Sequence, residues 1–68
     1  MRRFQLNRRE DVSHVSGTGI VAEGLEFHDG QVVISWLGVY HSVEVWPSIV
    51  AAEKIHGHGG LTVVEWLD

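Results

Sequence analysis

Five histidines in a chain of 68 residues are the first groups to weigh for chemistry. His56 and His58 stand in His-x-His spacing, which lets two imidazoles share one metal ion. A complete site would need His14, His28 or His41 as third ligand and a Glu or Asp as fourth, all within about 2 Å of the ion. Only two neighbouring ligands are visible. His56-Gly57-His58-Gly59-Gly60 reads equally as a helix C-cap and a loop, with His56 at the negative end of the helix dipole. We expect no metal and no cofactor.

Ser16-Gly17-Thr18-Gly19 is a second candidate, because consecutive small residues let backbone N–H groups converge on an anion. The Gly-Lys-Ser/Thr of a nucleotide-hydrolysing loop does not follow it, and a strand rather than a helix comes next. With Arg8 and Arg9 it would make at most a passive cradle for a small anionic ligand such as a nucleotide. The acids Glu10, Asp11 and Glu23 have no cleft to work across. No elbow motif presents Ser13 or Ser16 as a nucleophile. The chain does not read as an enzyme.

Composition narrows the partners. The first nine residues hold four arginines and no acid, and the remainder carries one lysine against nine acids. Charge is therefore +4 at the start and −8 over the body. An acidic body repels a phosphate backbone, so a nucleic-acid partner is disfavoured. Absence of Cys removes disulfides and thiolate zinc sites. Apolar runs stay far below the ~18 residues of a membrane span, and no apolar signal segment follows Met1-Arg2-Arg3. The expectation is a cytoplasmic protein without a membrane segment.

The elements that must position these residues are mostly strands. Residues 1–68 make a single domain, and a chain so short buries only about 60% of its unfolded surface. Phe4 to Arg8 alternates apolar and polar residues. Ile20 to Leu37 folds back at Asp29-Gly30, which suits a two-residue type I′ turn. That register gathers Val21, Leu25, Phe27, Val32, Ile34 and Trp36 on one core face, with Gly24 at a bulge or bend. Ser42 to Trp46 is a further strand with Val43 and Val45 inward, ended by Pro47. Ser48 caps a helix over about 48–56 that buries Ile49, Ala52 and Ile55, and Leu61 to Leu67 is the closing strand. The fold class is mainly β: a small SH3-like, partly open five-stranded barrel, or a curved antiparallel sheet with one short helix across it.

Trp46 falls opposite Val43 and Val45, so it is expected to point outward, with Trp66 as a second outward ring. With Tyr40 these make the expected interface, since exposed aromatics favour protein contacts and self-association.

Several segments carry a family likeness. They are Phe4-x-Leu6-x-Arg8, Glu10-Asp11-x-Ser13, Ser16-Gly17-Thr18-Gly19-x-Val21-Ala22-Glu23-Gly24 and Phe27-x-Asp29-Gly30. Ile55-His56-Gly57-His58-x-Gly60 and Val64-x-Trp66 extend it over nearly the whole chain. Together they resemble a family of short uncharacterised proteins encoded by phages and by bacterial and archaeal hosts. His14 stands where that pattern has a glycine, and Ser35 where a basic residue is common. The resemblance implies a phage or prophage origin and assigns no activity.

Three functions follow in order. The first is a non-enzymatic, self-associating binding module that occupies a host protein, such as a defence component. The second is a small-ligand or nucleotide-sequestering protein using the Ser16–Gly19 loop and the arginines. The third, least expected, is a nucleic-acid-binding SH3-like module.

Overall fold

In the computed structural model, which describes residues 1–9, 18–39, 41–57 and 60–68, the chain reverses at Asp29-Gly30 through a three-residue loop. Gly30 N–H donates to the Phe27 carbonyl at 3.0 Å, and Phe27 N–H donates to the Gln31 carbonyl at 2.8 Å. Asp29 Oδ1 accepts from Gln31 N–H, and Gly30 takes φ +91°, the left-handed value that a turn of this length needs at its last residue. The expected two-residue turn is therefore wrong by one position.

That single position changes the sheet. β2 (Gly19–Glu26) and β3 (Val32–Trp36) pair with Leu25 opposite Val33 and Gly24 opposite Ile34. Side chains alternate, so a one-residue slip moves a residue to the other face. Val32 and Ile34 are fully buried as expected, and Trp36 packs beside them. Leu25 and Phe27 turn the other way, 36% and 38% exposed.

β1 (Arg2–Arg8) supplies the rest of the core. Phe4 lies opposite Gly24, and a Cβ at Gly24 would collide with the Phe4 ring. Gly24 is thus a space for an aromatic side chain rather than the expected bulge. The bulge lies further along, where Leu6 faces Ala22 but Asn7 faces Ile20. The extra residue, Val21, buries alongside Ala22, which strict alternation would forbid.

β4 (Val43–Trp46) and β5 (Thr62–Trp66) complete one antiparallel sheet of order β4-β3-β2-β1-β5. The sheet does not close into a barrel. Its free edges are β4 and β5, and α1 (Ile49–His56) carries the chain from one to the other across one face. The fold is mainly β, one unclosed five-stranded antiparallel sheet with a single short helix among the described residues. Ser48 caps that helix as expected, its Oγ accepting from Ala51 N–H at 3.1 Å. Ile55 does not share the buried face: the inner positions are Ile49, Ala52 and His56, spaced i, i+3, i+7, and Ile55 is exposed.

β4 is inverted relative to expectation. Val43 and Val45 are 67% and 66% exposed, whereas Glu44 and Trp46 face the helix. The pairings Trp46–Val32 and Glu44–Ile34 force this, because opposed residues share a face and Val32 and Ile34 form the core.

Candidate functional site

Beneath the C-terminal end of α1, three side chains from three elements converge on one oxygen of Glu44. Trp36 Nε1 donates to Glu44 Oε1 at 2.9 Å, and Trp46 Nε1 to the same atom at 3.4 Å. His56 Nε2 lies 2.9 Å from it but outside hydrogen-bonding geometry, so that contact is an ion pair when the imidazole is protonated. The imidazole ring is 4.8 Å from the Trp36 ring and 5.6 Å from the Trp46 ring, centroid to centroid. Burial pushes the Glu44 carboxyl upward. The Trp36 hydrogen bond, the charge of His56 and the Trp46 bond outweigh it, leaving the group below its ordinary value. The cluster fastens the helix end to β3 and β4.

Both tryptophans of the expected interface belong to this covered side. Trp46 is half-buried within the cluster. Trp66 stacks edge-on against Phe4 at 5.4 Å, and the Arg2 guanidinium lies 3.9 Å from its ring centroid. They are not an outward pair. Tyr40 lies outside the described residues.

The expected anion cradle is dispersed. Arg8 is buried, its Nε on Thr62 Oγ1 at 3.2 Å and its guanidinium 5.9 Å from the Trp36 ring. Its main chain stands opposite Gly19, but its side chain is turned to the covered face. Arg9, Thr18 and Gly19 are exposed, while Ser16 and Gly17 lie outside the described residues. Of the described histidines, His56 alone joins a cluster. His28 and His41 are exposed, and His14 and His58 lie outside the described residues. Among the described residues no three His, Asp or Glu side chains converge as a metal site would require.

Among the described residues, the opposite face of the sheet carries no helix. Across it, one register row runs Arg3, Leu25, Val33, Val45, and the next runs Gln5, Glu23, Ser35, Val43. On the β1–β5 side its polar groups satisfy one another. Arg3 Nε and Nη2 grip both Asp68 oxygens at 3.0 and 2.8 Å, and Arg3 N–H adds a third bond at 2.8 Å. These bonds hold the Asp68 carboxyl far below the usual carboxylate range and raise Arg3 above its own. Gln5 and Asn7 donate to the two oxygens of Glu65 at 2.8 and 3.2 Å, which lowers that carboxyl also. On the β2–β4 side Leu25, Val43 and Val45 are exposed, with Val33 half-buried between them. A shallow groove of about 450 Å³ runs along the seam between the two halves. This apolar stripe is what sequence reasoning missed. The signal was present, since Val43 and Val45 alternate with Glu44 and Trp46, but alternation does not say which set is inward.

A family model for the Acb5 phage protein matches residues 1–68. The chain belongs to the Acb5 phage protein family. The likeness to a family of short phage proteins is thereby established for the whole chain. No curated protein and no solved structure matches this Acb5-family chain. No helix among its described residues is long and apolar enough to cross a membrane.

Proposed function

We propose that this phage protein is a non-enzymatic, self-associating interaction module that occupies a host protein in the host cytoplasm. The observation that carries the reading is the row Leu25–Val33–Val45, exposed at both ends, with exposed Val43 beside it, on a face that no helix among the described residues covers. An exposed apolar stripe bordered by polar groups that already satisfy one another is suited to a protein contact. The neighbouring Arg3–Asp68 and Gln5–Glu65 pairs hold that border rigid without needing a partner. A host defence component is the kind of target this reading favours.

The test is capture from infected host cells by the wild-type chain and by a V43D/V45D variant. The expected result is one partner retained stoichiometrically by the wild type and lost by the variant, whose circular dichroism is unchanged. Equal retention by a folded V43D/V45D variant overturns the reading.

A further inference from the structure

We propose that the free edge of β5 is the self-association surface, and that it takes β5 of a second copy in antiparallel pairing centred on Val64. This inference rests on the reading of the chain as a self-associating module. Leu67 N–H donates to the Arg3 carbonyl and Arg9 N–H donates to the Leu61 carbonyl, so odd-numbered residues of this strand turn their main-chain groups to β1. Thr62, Val64 and Trp66 therefore direct theirs away from the sheet. Thr62 N–H is taken by the Gly57 carbonyl at 3.0 Å. The N–H groups of Val64 and Trp66, with the carbonyls of Thr62 and Val64, have no partner among the described residues. That array is self-complementary. About a two-fold axis through Val64, each Val64 exchanges bonds with its counterpart, and each Trp66 N–H reaches the other Thr62 carbonyl. The one N–H already in use falls at the end of the ladder.

Side chains agree with that register. On the open face Val63 would meet Glu65 of the other copy, so no like charges oppose. A register centred on Glu65 would set two carboxylates against each other. On the covered face Trp66 would meet Thr62 of the other copy. Next to Thr62, a groove of about 580 Å³ between β5 and α1 is lined by Gly57 and Gly60, with open space beside Gly60. The other free edge is guarded: β4 has four residues and ends at Pro47, which has no N–H to donate. Among the described residues β5 has no proline, and its Val64 and Trp66 N–H groups have no partner.

The experiment is sedimentation velocity of the full chain across micromolar concentrations, with amide hydrogen exchange at high and low concentration. The expected wild-type result is a dimer that dissociates on dilution, with Val64 and Trp66 amides protected only in the dimer. V63D sets a new carboxylate against Glu65 of the other copy and should weaken the dimer at least about tenfold. V63K adds an opposite charge there and should strengthen it. V43D/V45D should leave it unchanged. A chain monomeric throughout overturns the proposal, as does a dimer that ignores both Val63 substitutions or protects Val43 and Val45 instead. A monomer that still captures a host partner overturns the edge pairing alone. An intact dimer that captures nothing overturns the open-face reading alone.

Discussion

Trp36 on β3 donates its indole N–H to Glu44 on β4 at 2.9 Å, and the same carboxylate oxygen stands 2.9 Å from His56 at the end of α1. A strand pair and the crossing helix are thus joined at one atom. Removing that atom strands several partners at once. Glu44→Ala should destabilise the fold by about 1–2 kcal/mol in urea titration, a range kept modest because the side chain is partly solvated. Glu44→Gln keeps an acceptor for the indoles and should recover part of the loss. A Glu44→Ala protein as stable as wild type would show that the cluster does not hold the helix.

Acid should unfold the protein through three carboxylates. Glu44, Glu65 and Asp68 all titrate below their ordinary values, Asp68 because of Arg3 and Glu65 because of Gln5 and Asn7. Each binds fewer protons folded than unfolded near its ordinary value. Stability from these groups is therefore complete above the unfolded values of 4.5 for Glu and 3.8 for Asp, and drains as pH falls toward the lower folded ones. Thermal melts from pH 6 down to about pH 2 should show Tm falling mainly below about pH 4.5. Asp68→Asn should flatten the lower part of that curve; an unchanged profile would remove Asp68 from the account.

The existence of the elements was legible, and their phases were not. Ser48 before Ile49–His56 announced a capped helix, and Pro47 announced the end of a strand. Asp29-Gly30 announced a reversal, but the dipeptide serves both two- and three-residue loops. The difference of one residue sent Leu25 and Phe27 to the open face. β4 failed for a related reason. Val43, Val45 and Trp46 are all apolar, so only pairing with β3 decides which of them is covered. The sheet's contact stripe was hidden by the same ambiguity that hid the register.

Gly24 gives that register a direct test. It lies opposite Phe4, whose ring fills the space a side chain would occupy. Gly24→Ala should therefore cost about 1–3 kcal/mol by overpacking, although alanine ordinarily suits a strand better than glycine. In a Phe4→Leu background the same substitution should cost much less. A double-mutant cycle read from urea midpoints measures the coupling. Additive effects would mean that the ring does not rest on Gly24.

Arg8 tests the fate of the expected anion cradle. Its burial and its bond to Thr62 make it a support for β5, so Arg8→Met should lower stability by about 1–2 kcal/mol. Lys at this position lacks the planar fork that reaches both Thr62 and the Trp36 ring, and should not restore it. Millimolar nucleotide should leave the Tm of the wild-type chain unchanged. A nucleotide-dependent rise abolished by Arg8→Met would return Arg8 to ligand binding.

The inversion of β4 predicts opposite costs at adjacent positions. Trp46 packs on the core and donates to Glu44, so Trp46→Ala should cost about 2 kcal/mol or more. Val45 is the next residue toward the strand's start, on the solvent side, and threonine suits an exposed strand position. Val45→Thr should stay within about 0.5 kcal/mol of wild type. The comparison separates stability from contact, because residue 45 can be changed without loosening the fold that presents it. If Val45→Thr proves the costlier change, then Val45 faces the core, and the apolar stripe on the open face disappears with it.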